Sequence, residues 1–596
     1  MEKKREQLNP ADLWDLSTLY ASDEVWKEDS GKLEKDIQSV EAFRGKLAGA
    51  DAIRAYFDAD TALSRRLNNI ATYAMLRLSE NTKDTKAQEL MSAANRFIVQ
   101  AMARTAFARP EILTLPEEKL REITDSEVLA PYRFLMQELV EEKPHVLSDR
   151  EEALLGSFGE VLGSPKTIAD TLMDADLTFE DAADSTGGKH PVTGANFILL
   201  EQSGDRKLRE NAFRSFYRGY RSHINTFAAA YSGIVKAHTA EAQVRHYGSS
   251  REMALEQEHI PLGVYDSLIS TVRQSLPLMA RYVRLRKKLL KLPELHYFDV
   301  YTPLVPGLEA HWSYEEAQKM VLDAVAPLGG EYQEDVRHAF RDRWIDVYPN
   351  EGKRGGAFSS GTYDSNPFIL MSYTGDYESV TTVAHEMGHS QHTLRSNRTQ
   401  PPQYAEYTLF VAEVASTVNE NLLVENLLSK TRDPKKRLFL LNQYMEGFKG
   451  TLFRQTMFAE FEKTAHEMAE QGQALTPKAL NTLYGGLVRD YFGPDLVMDE
   501  EVSCEWARIP HFYRPFYVYK YATSYSAAIA LSEKILNDGG STVKDYLRFL
   551  SLGGSDVPLK ELQTAGVDLS TPLPVQQALQ KFARILDEAE MLSKSL

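Results

Sequence analysis

The chain has 596 residues, more than the roughly 250 to 300 at which a single hydrophobic core stops growing, so more than one lobe is expected. Hydrophobic content of 43% and charged content of 26% are those of an ordinary globular protein and exclude a disordered or fibrous chain. A formal charge of −17 argues against a nucleic-acid partner, because phosphate binding needs a net basic face.

The opening stretch, MEKKREQLNPADLWDL, is charged and has no apolar run behind it, and no window supplies the apolar residues of a membrane span. The expectation is a cytoplasmic protein with no membrane partner. From residue 30 to about 180, runs such as SRRLNNIATYAMLRLSENT carry apolar residues at three-and-four spacing and predict helices in series. The segment DSTGGKHPVTGANF (184–197) is the first punctuation, and its Gly-Gly and proline predict a turn. A boundary placed near 200 divides the chain into an N-terminal helical lobe, 1–200, and a larger domain, 201–596.

Further amphipathic helices follow, without a repeat of fixed period. The stretch WIDVYPNEGKRGGAFSSGTYDSNPFILMSYTG (344–375) breaks the pattern with glycine clusters and short β-favouring runs at WIDVY and FILMSY. A small sheet is expected there, just before the next helix, with an edge able to pair with an extended peptide.

That next segment, TTVAHEMGHSQH (381–392), carries three of the chain's 14 histidines. On a helical wheel Val380, Val383, Ala384, Met387 and Leu394 form one apolar stripe within about 60°. His385, His389 and His392 lie on the other side, which in a surface helix would face water. His385 and His389 are one turn apart, with Cα atoms about 6 Å from each other, so both rings can reach one ion. Glu386 lies beside that ion and can hold a metal-bound water, completing the pattern H-E-x-x-H. His392 is kept out of the metal shell. Gly388 costs about 1 kcal/mol in a helix relative to alanine, which predicts that something comes close to the helix there.

A hydrolytic zinc site uses three protein ligands and leaves a fourth position for water. In EYTLFVAEVASTVNENLLVENLL (406–428), Glu413 is a lone acid amid Phe410, Val411, Ala412, Val414 and Ala415, a costly placement unless it is paired or bound to metal. Ser416 and Glu420, one and two turns on, are candidates for orienting ligands. The related string AHEMAE lacks the second histidine, and its His466, Glu467 and Glu470 read as a solvated helix face. Cys504, the single cysteine, reads as a small buried side chain. HFYRPFYVYKYATSY (511–525) is richer in tyrosine than a core helix needs, and phenols can donate hydrogen bonds to a tetrahedral oxyanion.

HEMGH followed 24 residues later by Glu413 resembles the thimet-oligopeptidase family of zinc metallopeptidases, and specifically its oligoendopeptidase F branch. The likeness extends to WDLSTLY, GKRGGAFSSGTYDSNPFILMSY and HFYRPFYVYKYATSYSAA, which together span most of the chain. The resemblance implies a mainly α, two-lobed fold enclosing a deep channel, with one Zn2+ per chain held by His385, His389 and Glu413. It also implies Glu386 as general base and acid, and His511, Tyr517 and Tyr521 as stabilisers of the transition state, with Tyr519 and Tyr525 as alternatives. The expected activity is endopeptidase cleavage of short oligopeptides inside a size-restricting channel. The rivals are a zinc carboxypeptidase and a noncatalytic peptide-binding protein with a structural metal. No residue pattern bears on oligomeric state.

Overall fold

The computed structural model describes residues 3–305 and 311–594. It is mainly helical with three small sheets among the described residues, and no helix of these residues is long and apolar enough to cross a membrane. The chain folds into two compact units, each built from separated stretches. The first comprises Met1–Asp149, Glu309–Asn426 and Leu531–Gly566, the second Arg150–Leu308, Leu427–Ala530 and Val567–Leu596. Residue 200 lies inside the second unit.

In the first unit the helix Ala50–Glu80 returns through a short turn into Thr85–Thr105, whose N-terminus is capped by Asp84 accepting from the Lys86 amide at 2.9 Å. The apolar faces of these helices enclose Leu63, Ile70, Leu76 and Leu90, and the same core takes in Trp14 and Trp26. It reaches Phe368 and Leu370, which belong to the expected small sheet. There Phe368–Leu370 is central, parallel to Ile345–Asp346 on one side and antiparallel to Phe358–Ser360 on the other. Three consecutive apolar residues suit a strand covered on both faces. Asp346, fully buried, pairs with Lys353 at 2.6 Å and Arg5 at 2.6 Å, so the glycine-rich loop is tied to the sheet by a compensated buried charge.

The second unit is a stack of helices that includes Arg206–Ser222, Ile224–Val244, Arg454–Glu470 and Pro477–Phe492. The turn expected at 184–197 is present as a hairpin pairing Ala182–Ala183 with Lys189–His190. The buried Glu505 carboxylate accepts from Arg454 at 2.7 Å, Tyr484 at 2.6 Å, Tyr297 at 3.0 Å and Arg508 at 3.0 Å. Those cations and phenols hold its pKa far down against the burial that would raise it. This network anchors the segment Glu500–Arg508, which leads directly to His511.

Cys504 is buried and free, as expected, and burial pushes its thiol up to about 12. The reading of AHEMAE as a solvated face is corrected. His466 is 1% exposed, stacked on His238 and held by the Glu462 carbonyl at 2.9 Å, and burial lowers its pKa to about 4. Glu470 accepts from the Ser250 amide and hydroxyl. Tertiary packing encloses a helix whose local charge pattern reads as surface.

Candidate functional site

The strand Phe368–Leu370 leads into the helix Tyr377–Thr399. Asp376 caps it, accepting from the Ser379 amide at 2.7 Å. Gly375, at φ +88°, immediately precedes the cap, and a Cβ there would lie 2.1 Å from the His311 ring. The apolar stripe is fully buried at Val380, Met387 and Gln391, and on the opposite side Glu386 and His392 are buried too, while His385 and His389 stay partly exposed.

Gly388 is the point at which the helix Leu409–Lys430 crosses. A Cβ on Gly388 would stand 2.5 Å from the Ala415 carbonyl oxygen and 2.6 Å from the Ser416 Cα. The close approach predicted for Gly388 is thus by a neighbouring helix, and it occurs within one turn of Glu413. Asn419 locks the same crossing. Its amide donates to the Ala384 carbonyl at 3.1 Å and accepts from the Tyr332 hydroxyl at 3.0 Å.

The crossing brings His385, His389 and Glu413 together, with one ligand atom of each within 4.8 Å of the others. The two Nε2 atoms are 3.2 Å apart, and each lies 3.5 Å from Glu413 Oε2. His385 Nδ1 meets Glu420 Oε1 at 2.5 Å, which leaves its Nε2 for the shared space. Ser416 Oγ donates to Glu413 Oε2 at 3.0 Å. Both orienting candidates from the sequence thus touch a member of this group, Glu420 at His385 and Ser416 at Glu413.

Electrostatics follow from this packing. Burial lowers the His385 pKa, but the Glu420 carboxylate, with Glu386 and Glu413 beyond it, outweighs burial and pushes it up to about 9. Burial raises Glu413, but its hydrogen bond to His389 and the two imidazoles hold it at about 2. Two imidazole nitrogens and an ionised carboxylate oxygen, with a carboxylate behind one imidazole, are a donor set that fits a divalent metal of the zinc type. Glu386 is 5% exposed, and among the described residues no hydrogen bond or ion pair holds its carboxylate. Burial raises its pKa against the opposing pull of His385 and His389.

His392 belongs to the core of the first unit. It stacks on Tyr407 with ring centroids 3.6 Å apart, lies 5.4 Å from Phe549, and burial lowers its pKa to about 3. In the second unit His511, Tyr517 and Tyr521 form a cluster of their own. Their ring centroids are 5.3 to 6.1 Å apart, and the two phenol oxygens are 3.4 Å apart. Arg514 sits 4.2 Å over the Tyr517 ring. Tyr519 and Tyr525 are buried, packed on Tyr265 and Phe448 respectively, so of the tyrosines considered only Tyr517 and Tyr521 are partly open. Sequence reasoning missed Asn419, whose signal was an amide amid apolar neighbours in VASTVNENLL. It also missed Ser359, whose hydroxyl meets Ser390 at 2.9 Å and ties the sheet edge to the histidine helix.

A model of the family described as Peptidase family M3 matches residues 199–581, and a second, described as Oligopeptidase F, matches residues 111–179. The chain belongs to peptidase family M3. This M3 peptidase is 43% identical to Oligopeptidase PepF of Bacillus subtilis, over 99% of this chain and 88% of that protein. It is 38% identical to Group B oligopeptidase PepB of Streptococcus agalactiae, over 99% of each. The crystal structure of oligoendopeptidase-F from Enterococcus faecium superposes with a TM-score of 0.76 at 34% identity, covering 96% of this chain and all of that one. The family resemblance carried by HEMGH and Glu413 therefore holds, and this M3 peptidase is a metalloendopeptidase of the oligoendopeptidase F kind.

Proposed function

We propose that the protein is a zinc-dependent endopeptidase that hydrolyses short oligopeptides within a size-restricting channel. The observation that carries this reading is the convergence of His385, His389 and Glu413 beside a buried Glu386 that nothing else holds. Zinc bound by those three side chains would supply Lewis acidity, polarising the scissile carbonyl and easing the loss of a proton from water. Glu386 accepts that proton as the water oxygen attacks the carbonyl carbon, then delivers it to the leaving amine as the C–N bond breaks. A carboxyl whose pKa is raised by burial is better matched to this shuttle near neutral pH than an ordinary one.

Glu420 keeps His385 in the tautomer that offers Nε2, and Ser416 steadies Glu413. His511, Tyr517 and Tyr521 are assigned to the oxyanion, to which the phenols and the ring N–H donate hydrogen bonds. The strand Phe358–Ser360 lies at an edge of its sheet, and its free side can take an extended substrate by backbone pairing.

Zinc content and cleavage of blocked peptides of increasing length, measured beside Glu386→Gln, test the proposal. The variant should keep its zinc and lose about 100- to 10,000-fold in kcat, and cleavage should fall off as peptides lengthen. Full activity in the zinc-loaded variant would sink the mechanism. Cleavage confined to peptides with a free C-terminal carboxylate would favour a carboxypeptidase instead.

A further inference from the structure

A cavity of about 570 Å³ lies within the first unit, and the mechanism above makes no use of it. One wall is the helix Ala50–Glu80, which brings Tyr56, Asp60, Ser64, Asn68 and Thr72 to the cavity at four-residue intervals, along one ridge. A second wall is the later part of the histidine helix, through Thr393 and Asn397, joined by the loop Gly361, Thr362 and Tyr363 that leaves the edge strand. Thr393 and Asn397 stand four and eight residues beyond His389, so they continue the ridge of His385 and His389 about 6 and 12 Å further along the axis. An extended peptide advances about 3.3 to 3.6 Å per residue. A substrate held at His385 and His389 and extended along this helix would come level with the cavity two to four residues from the bond that breaks.

The charges of the cavity are not balanced. Both arginines that line it are already engaged, Arg65 by Asp364 and over the Tyr363 ring at 4.9 Å, Arg109 by Glu142. Asp60 is half-buried, and among the described residues no hydrogen bond or ion pair compensates it. Burial raises its pKa, which is the signature of a carboxylate short of a partner. Phe57, Ile112 and Leu139 line the same cavity, so it offers apolar surface for a stem as well as an anion for a head group. A substrate carboxylate would meet repulsion there and no free guanidinium.

We propose that this cavity receives the substrate two to four residues from the scissile bond and that Asp60 selects a cationic group at that place. The inference rests on the peptidase reading and adds a charge preference to it. A lysine or arginine side chain and a peptide's terminal ammonium offer the same chemistry, and the arms of the test separate them.

The test uses one blocked peptide scaffold with lysine or norleucine at the second, third or fourth position from the cleaved bond, and a parallel set with free or acetylated N-termini. With the intact protein, kcat/KM should favour the charged member about ten-fold at one position or one terminus, the scale of a hydrogen-bonded charge. Asp60→Asn should collapse that ratio towards one, Asp60→Glu should retain most of it, and Asp60→Lys should invert it towards glutamate. Dependence on lysine identifies the side chain as the source, and dependence on acetylation identifies the terminal ammonium. A ratio near one in the intact protein, or an unchanged ratio in Asp60→Asn, overturns the inference. Affinities of the same peptides for the Glu386→Gln protein, measured by calorimetry, read the preference without turnover. Absence of cleavage then counts against the peptidase reading, and absence of an Asp60-dependent preference against the selection.

Discussion

Gly388→Ala isolates the crossing on which the proposed metal ligands depend. The added Cβ would meet the Ala415 carbonyl oxygen at 2.5 Å and the Ser416 Cα at 2.6 Å, both backbone atoms that cannot rotate away. Restoring ordinary van der Waals separation needs the two helices to part by about 1 Å. Overpacking of this kind costs about 1 to 3 kcal/mol, while alanine regains about 1 kcal/mol of helix propensity. The net loss of folding stability is thus about 0 to 2 kcal/mol, and unfolding is a poor reporter. The site is the sensitive one, because His389 sits next to position 388 and Glu413 within one turn of Ser416, and ligand distances tolerate only about 0.2 Å. Zinc affinity, measured by competition with a chromogenic chelator, should fall at least ten-fold, by about that order. At saturating zinc, kcat/KM should remain about 100-fold down, the usual consequence of a 1 Å misplacement. A Gly388→Ala protein with unaltered zinc affinity and unaltered kcat/KM would refute the argument that this contact sets the ligand geometry.

Three further outcomes are expected. Glu420→Gln, which removes the charge behind His385 Nδ1, should weaken zinc binding about 10- to 100-fold in the same competition assay. Because metal-free His385 keeps its proton up to about pH 9, an ion must displace one proton below that pH. Apparent zinc affinity should therefore rise about ten-fold per pH unit on the approach to that value and level off near 9, with the break moving to lower pH in Glu420→Gln. Tyr517→Phe and Tyr521→Phe should keep their zinc, read by elemental analysis, while at least one loses about 100-fold in kcat, the scale of one oxyanion donor; full kcat in both would remove the phenols from the mechanism.

The parts of the site legible in the sequence were those fixed by local geometry. A four-residue spacing commits His385 and His389 to one helix face, and the isolation of Glu413 among apolar neighbours marks an acid with a purpose. The small sheet announced itself through WIDVY and FILMSY. What a partner element decides was not legible. Gly388 signalled a close approach, but only the structure names Ala415 and Ser416 as what approaches. His392 shares a wheel face with the two ligands, yet Tyr407 and Phe549 enclose it, and no wheel records such neighbours. His466 failed for the same reason, since charges at 467 and 470 say nothing of His238 in a distant helix. The compact units are assembled from separated stretches, and local punctuation cannot announce a chain that leaves a unit and returns.

The Asn419 amide has a consequence for the life of the metal. A carboxamide can donate to Ala384 and accept from Tyr332 in only one orientation, so three helices share a single register, and sliding by one turn would break both bonds at once. An ion bound by His385, His389 and Glu413 would meet a receptor assembled in advance by contacts that do not include it. Little ordering is left to be done on capture, so the apoprotein made by chelation should be a folded acceptor that exchanges one divalent ion for another without passing through refolding.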